Sequence, residues 1–194
     1  ETPMIPLSPP PASRPDIDLP PRILLGPGPS MVPPRVLRAM TTPPVGHLDA
    51  SYLAIMDRTQ ELLRYAFQTE NALTFPMSGT GSAGMETAFC NFVEPGDRVL
   101  IGCNGYFSER MCEMARIYGA VVKRIEKPWG SVFTKEEIEA ALGRHHPKIF
   151  AMIHGETSTG TLQPLEGAGD IVHRHGALFL IDCVTSLGGV PVKT

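Results

Sequence analysis

The sequence predicts an α/β domain built around a mostly parallel sheet. From residue 72 onward, short apolar runs alternate with segments whose apolar residues recur at helical spacing. The runs are apolar at nearly every position, which is typical of strands that are buried on both faces. Strands that alternate with helices pair in parallel and are covered by those helices. A chain of 194 residues, 42% of them hydrophobic, is long enough to bury such a core.

The N-terminal segment, residues 1–22, is rich in proline and includes Pro9-Pro10-Pro11. Proline lacks a backbone N–H and fixes its φ angle, which excludes helix interiors and central strands. We therefore expect an extended arm that wraps a partner subunit, with a disordered tail as the alternative. The folded part is expected to cover residues 23–194.

Two helices are predicted before the first strand. The first is short, opened by Pro33-Pro34 and ending near Met40. The second begins after Asp49, a candidate N-cap, and runs to Phe67 with apolar residues at helical spacing.

The rest of the chain is predicted to alternate strand and helix. A capping box, Thr134 with Glu137 three residues later, marks the start of one of the helices. The predicted strands are 72–75, 98–101, 120–125, 149–154 and 178–181, and the helices between them include a segment that carries Met85 and Phe89, residues 107–118, the segment after Thr134, and residues 165–175.

Polar and glycine-rich loops follow four of these strands. In parallel sheets, ligands bind beyond the carboxyl ends of the strands, so the four loops are expected to converge on one pocket. The loops are Ser78–Ser82, Asn104–Phe107, Glu156–Gly160 and Asp182–Ser186.

Three features of these loops suggest a phosphorylated, cationic, aromatic ligand. Thr80, Gly81 and Ser82 stand at a helix start, where backbone N–H groups and the helix dipole favour a phosphate. Asp182 closes an apolar strand, where a carboxylate needs a cation or donors beside it. Phe107 could lie against an aromatic ring, although the same residue could serve only as core, and Asp182 could merely cap a turn.

Composition argues against several other kinds of partner. The net charge of −3 and the absence of Lys/Arg clusters favour neither nucleic acid nor an anionic membrane surface. No apolar run is long enough for a membrane span, and the histidines lack the spacing of a ligand set, so we expect no metal. The cysteines show no metal or disulfide spacing, which predicts buried, reduced thiols and a cytoplasmic protein; they are Cys90, Cys103, Cys112 and Cys183.

In combination, six stretches of the sequence resemble the class V aminotransferases of pyridoxal phosphate (PLP) fold type I. Within that class the chain is most similar to the alanine–glyoxylate and serine–pyruvate (serine–glyoxylate) aminotransferases. The matching stretches are Leu25-Gly26-Pro27-Gly28-Pro29-Ser30, Ser78-Gly79-Thr80-Gly81-Ser82, Glu94-Pro95-Gly96-Asp97, Gly105-Tyr106-Phe107, His154–Gly160 and Asp182–Gly189.

The resemblance implies a seven-stranded-type, mostly parallel sheet and a role for each matching residue. It implies that Asp182 pairs with the pyridinium nitrogen, that Phe107 stacks on the pyridine ring and that Val184 packs on the opposite face. Thr157 is implied to hydrogen-bond the ring oxygen, and Ser82 replaces a His of some relatives. The implied phosphate site is Ser78, Gly79, Thr80, Gly81 and Ser82, and the implied neighbours of the substrate carboxylate are Gly26 and Gly28.

Two groups that the family's chemistry needs have no counterpart in these residues. The Schiff-base Lys of the family lies well beyond Asp182, and Lys193 comes too soon after it. The Arg that binds the substrate carboxylate belongs to the family's later small domain. We therefore expect the chain to be the N-terminal half of the enzyme: the arm and an incomplete large PLP-binding domain, without the rest of that domain and without the small domain.

The leading functional hypothesis is PLP-dependent transamination by a homodimer. The substrates expected from the resemblance are a small L-amino acid, alanine or serine, and a 2-oxo acid such as glyoxylate or pyruvate. One alternative keeps the cofactor but changes the reaction to that of a cysteine desulfurase or lyase, relatives that favour a His where Phe107 stands. Another is a non-catalytic domain that binds a phosphorylated ligand.

Overall fold

A computed structural model of the protein describes residues 19–193. The predicted arm therefore lies, for residues 1–18, outside the described residues. The described part of the chain divides into two compact units, one that ends at Thr42 and one that begins at Pro43. In the described part of the first unit, helix α1 (Pro34–Met40) follows Pro33, as predicted.

The second unit keeps the predicted order of helices and strands, except at two places. Helix α2 (Ala50–Phe67) begins after Asp49, whose side chain accepts the N–H of Ser51. The elements that follow are α3 (Gly81–Phe92), β1 (Arg98–Cys103), α4 (Tyr106–Ile117), β2 (Val121–Glu126), α5 (Lys135–His145), β3 (Ile149–Ile153), β4 (Gly155–Glu156), β5 (Thr161–Leu162), α6 (Ala168–Arg174) and β6 (Leu178–Asp182). The two exceptions are that no strand separates α2 from α3 in this described part of the chain and that two short strands, β4 and β5, follow β3.

Four strands form a parallel sheet in the order β2-β1-β3-β6. The α/β class and the parallel sheet are thus confirmed. The fifth predicted strand, residues 72–75, is wrong: Thr74 N–H bonds back to the Ala72 carbonyl, and Leu73 is 82% exposed. A four-residue apolar run carries no information about a pairing partner, and this one has none among the described strands.

The sheet is covered by helices on both faces. Along β1, Val99 and Ile101 pack with Phe89 of α3 and Met111 of α4, whereas Leu100 packs on the other face with the α5 and α6 residues. The side chains of β3 also alternate between the two faces, and Phe150 lies on the face that α5 and α6 cover. Side chains of successive strand residues point to opposite faces, so a continuously apolar run supplies both cores at once.

The helix caps show how local sequence ends and starts these elements. Thr134 Oγ1 accepts the N–H of Glu137, and the Glu137 carboxylate accepts the N–H of Thr134 at 2.7 Å, which confirms the predicted capping box of α5. His146 then ends the helix in a left-handed conformation.

Burial of the cysteines differs from the sequence prediction at one position. Cys103 and Cys112 are buried and their sulfur atoms lie 3.3 Å apart, and Cys183 is half-buried. The prediction of burial is wrong for Cys90, which lies on the exposed side of α3. No helix within residues 19–193 is both long enough and apolar enough to cross a membrane.

Candidate functional site

The four polar loops meet at one cavity of about 180 Å³ beyond the carboxyl ends of β3 and β6. Three of the loops come after strands of the parallel sheet, which end at the same edge, and the Ser78–Ser82 loop reaches the cavity at the start of α3. The residues that line the cavity are Gly81, Ser82, Met85, Phe107, Ile153, Gly155, Thr157, Asp182, Val184 and Thr185.

Asp182 is the acidic group of this cavity. It ends β6, is half-buried, and accepts the N–H of Val184 at 2.9 Å. Burial raises the pKa of its carboxyl group and the negative charge of Glu156 adds to that rise, while the N–H of Val184 opposes it. A cation beside Asp182 would offset the cost of burying the charge.

We therefore expect Asp182→Asn to stabilise the ligand-free protein at neutral pH. Because the folded-state pKa of Asp182 lies above its usual value of 3.8, the folded state binds more protons between these two values. Stability of the wild type then falls as pH rises through that window and stays lower above it. Thermal unfolding from pH 3 to pH 8 should show the gain of the variant shrinking as pH falls. A variant less stable than the wild type at pH 7 contradicts this account.

Helix α3 presents its N-terminus to the cavity. Thr80 is the N-cap, and its Oγ1 accepts the N–H of Ala83 at 3.3 Å. The N–H groups of Gly81 and Ser82 belong to the first turn, so they have no acceptor within the helix. Both residues line the cavity, whereas Ser78, Gly79 and Thr80 are not among its lining residues. An anion at this point would meet two N–H donors and the positive end of the helix dipole.

Phe107, Thr157 and Val184 supply the rest of the predicted set. Phe107 lines the cavity and also packs against the core under α4, so its two predicted roles are compatible. Thr157 is half-buried, and Val184 is 66% exposed. A Cβ at Gly81 would lie 3.0 Å from Val184 Cγ2, which shows how closely the start of α3 approaches Val184. Gly26 and Gly28 belong to the separate N-terminal unit, and their place near a substrate carboxylate stays a prediction.

Sequence reasoning missed the polar groups that hold these loops in place. His154 is buried, and a 2.9 Å hydrogen bond joins its Nδ1 to Ser186 Oγ, which anchors the loop after Asp182 to the end of β3. Burial lowers the pKa of His154, so its ring is neutral at neutral pH. Glu156 is buried and hydrogen-bonds the start of α4. The signal available for both was a polar residue in or next to an apolar strand, the same signal that singled out Asp182.

The described residues offer no comparable site for a metal. Within residues 19–193, no three His, Cys, Asp or Glu side chains cluster in a way that could hold a metal ion. A second cavity of about 340 Å³ lies beside α3 and β6 and is lined mainly by apolar side chains.

A parallel α/β fold with a helix N-terminus and a half-buried carboxylate at one end of the sheet is typical of domains that bind a phosphorylated ligand. Residues 22–194 match the family model described as aminotransferase class-V, and the chain belongs to that family. The class V aminotransferases are PLP-dependent enzymes of fold type I.

Relatives of known structure and sequence agree on the family. The chain is 45% identical over 186 residues to the alanine–glyoxylate aminotransferase of Oryctolagus cuniculus, covering 96% of this chain and 47% of that protein. It is 43% identical over 182 residues to the (S)-ureidoglycine–glyoxylate transaminase of Bacillus subtilis, covering 94% and 44%. The crystal structure of alanine–glyoxylate aminotransferase from Nostoc sp. superimposes with a TM-score of 0.91 at 56% identity, covering 93% and 48%. The chain thus spans about half the length of the relatives it matches.

The observed site fits pyridoxal phosphate. The cofactor carries a phosphate, which matches the two N–H donors at the start of α3, and a pyridinium nitrogen, which matches the half-buried carboxylate of Asp182. Because Gly81 has no side chain, the start of α3 lies close to Val184 at the wall of this cavity.

Proposed function

We propose that this chain is part of a PLP-dependent aminotransferase that moves an amino group between a small L-amino acid, alanine or serine, and a 2-oxo acid such as glyoxylate or pyruvate. The observation that carries the proposal is the cavity of about 180 Å³ in which the start of α3, the side chain of Phe107 and the carboxylate of Asp182 meet. The names of the relatives support glyoxylate as the acceptor.

The residues take distinct binding roles in this proposal. The N–H groups of Gly81 and Ser82 bind the cofactor phosphate, with Ser78, Gly79 and Thr80 shaping the loop before them. Phe107 and Val184 pack on the ring, and Thr157 donates a hydrogen bond to the ring oxygen. Gly26 and Gly28 form the turn near the substrate carboxylate.

Asp182 has the electrostatic role. When bound, PLP supplies an electron sink for the electron pair that an amino acid's α-carbon retains on losing its proton. Asp182 holds the proton on the ring nitrogen, because an ionised carboxylate in a partly desolvated site favours a cation beside it. His154 and Ser186 keep the Asp182 loop against β3, so the carboxylate has a fixed position.

We propose further that residues 23–194 correspond to the N-terminal part of the large PLP-binding domain, with the Schiff-base Lys and substrate-binding Arg elsewhere in the complete polypeptide. The coverage of about half of each relative supports this. So does β6: it is an apolar strand at the edge of the described sheet, only partly buried, with an apolar cavity beside it. Such an edge is normally paired or covered.

The proposed assembly is a cytoplasmic homodimer. Helix α2 supports it, since none of its residues is buried in the described structure, and apolar side chains such as Leu53, Ile55 and Leu62 are each at least half exposed. Ile55 and Leu62 lie seven residues apart on one side of the helix, and apolar side chains left exposed in this way are typical of an interaction site. The reduced state of the cysteines is consistent with the cytoplasm.

Absorbance spectroscopy of the complete polypeptide tests the function. We expect bound PLP to absorb near the edge of the visible range, to lose that band with L-alanine or L-serine and to recover it with glyoxylate or pyruvate. D-Alanine is the control and should leave the band unchanged. A protein that binds no PLP contradicts the proposal, and one that binds PLP without responding to any donor is a binding domain instead. Sedimentation of the same sample as a monomer would contradict the homodimer.

A further inference from the structure

Glu156 is a buried carboxylate that lies between two of the loops forming the cavity. It is 1% exposed, ends the short strand β4, and directly precedes Thr157. Within residues 19–193, no Lys or Arg side chain forms an ion pair with Glu156. An acidic side chain is seldom buried without a partner, so the groups that surround Glu156 must stabilise its charge.

The partners of Glu156 are N–H and O–H donors from two segments. Oε2 accepts the N–H groups of Phe107 and Ser108 at 3.2 and 3.3 Å, at the start of α4, and the N–H of Phe107 also lies 3.4 Å from Oε1. Oε1 accepts the N–H of Ser158 at 3.2 Å and its Oγ–H at 2.6 Å. Ser158 Oγ in turn accepts the N–H of Tyr106 at 2.9 Å. The carboxylate thus satisfies first-turn donors of α4 and joins that helix to the Thr157 loop.

Gly105 has no side chain, and this leaves space for the carboxylate of Glu156. A Cβ at that position would lie 2.3 Å from Cγ and 2.4 Å from Cδ of Glu156, so any other residue would displace the carboxylate. The φ angle of Gly105 is −179°, an extended value that any residue adopts, so the requirement for glycine here is steric.

We propose that Glu156 is a positioning residue of the cofactor site: its carboxylate bonds both the start of α4 and the segment at Ser158, and so fixes Phe107 and Thr157 relative to each other. This inference rests on the proposed function, since it takes Phe107 and Thr157 as contacts of PLP. Glu156 itself is not among the residues that line the cavity, so it acts through its neighbours.

The arrangement requires a carboxylate, not merely a polar side chain. Both oxygens accept, and donors face each of them. In Glu156→Gln, one oxygen becomes an NH₂ group that points at N–H donors of Phe107 and Ser108 or at those of Ser158. One of the two segments then loses its nearer acceptor and faces an NH₂ group in its place, so it moves away.

Glu156→Gln in the complete polypeptide is the primary test. We expect the dissociation constant of PLP to rise about tenfold, the loss expected when one hydrogen bond to a charged group is removed. We also expect the circular dichroism of bound PLP at saturation to fall, because the ring is held less firmly in one orientation. The matched control is Glu137→Gln, which removes a helix-capping carboxylate from α5, away from the cavity. It should change PLP affinity by less than about twofold.

Ser158→Ala provides a milder second variant. Ser158 is exposed, and the change removes only the hydroxyl that links Glu156 to Tyr106, so the protein should fold even if Glu156→Gln does not. We expect PLP to bind about threefold more weakly. Wild-type affinity and circular dichroism in both variants, or in Ser158→Ala where Glu156→Gln does not fold, would overturn the positioning role. Failure of the wild type itself to bind PLP would instead remove the proposed function.

Discussion

Asp182→Asn is expected to lower the rate constant of transamination by about a hundredfold or more in the complete polypeptide, the loss typical of removing one preorganised electrostatic group from an active site. Asparagine preserves the size of the side chain and can still accept the N–H of Val184. It cannot carry the negative charge that keeps a proton on the ring nitrogen. The variant should therefore fold and bind, yet lose the reaction.

Single-turnover absorbance measurements with L-alanine and then glyoxylate give the rate constant of each half-reaction directly. The control is Asp170→Asn, which neutralises an exposed aspartate in the first turn of α6 and should react like the wild type. The dissociation constant of PLP should be measured in both variants, because loss of the cofactor would imitate loss of the reaction. Transamination by saturated Asp182→Asn at a rate close to that of the wild type would refute the assigned role.

The role of Asp182 connects the reaction with the stability of the fold. The same burial that raises its pKa in the ligand-free protein makes the carboxylate a strong partner for a cation. If the stability of the ligand-free protein were the only requirement, a neutral residue in place of Asp182 would be favoured. We therefore expect Asp182→Asn to raise the stability of the ligand-free protein and to lower the activity of the protein with PLP bound. Both effects follow from the loss of the same partly buried negative charge.

The parts of the fold that local sequence encodes were predicted well. Strands β1, β2, β3 and β6 were located to within two residues at either end, because a buried parallel strand is apolar at consecutive positions. Helix starts at Asp49 and Thr134 followed from their capping side chains. The segment 72–75 failed because the same apolar pattern without a neighbouring strand forms no ladder.

The residues of the candidate site also differ in whether the sequence could predict them. Residues directly after strands could be grouped in advance, because topology alone brings the ends of parallel strands together. The role of Glu156 could not be predicted by this reasoning, although the residue stands in one of the grouped loops, since its partners at the start of α4 lie 48 and 49 residues away in the chain. The need for glycine at Gly105 becomes clear only from the structure, because Glu156 occupies the space that a side chain at Gly105 would fill.

Gly81→Ala is expected to weaken PLP binding about thirtyfold, which corresponds to ~2 kcal/mol of overpacking. The added Cβ would lie 3.0 Å from Val184 Cγ2 and 3.4 Å from Val184 Cγ1, so Val184 has to move. Val184 is largely exposed and can shift without unfolding the protein, but the shift alters the cavity wall on which the ring is proposed to pack. The methyl group also stands beside an N–H group proposed to bind the phosphate.

Gly84→Ala separates this steric effect from the helix propensity of alanine. Gly84 lies one turn further along α3, and a Cβ there meets no atom within 4 Å. Both substitutions add the same methyl group to the same helix, where alanine is favoured over glycine by roughly 1 kcal/mol. A titration of each variant with PLP should therefore show weak binding for Gly81→Ala and affinity close to that of the wild type for Gly84→Ala. Equal affinities in the two variants would mean that the approach of α3 to Val184 does not shape the cofactor site, and the phosphate would then have to bind elsewhere than at the start of this helix.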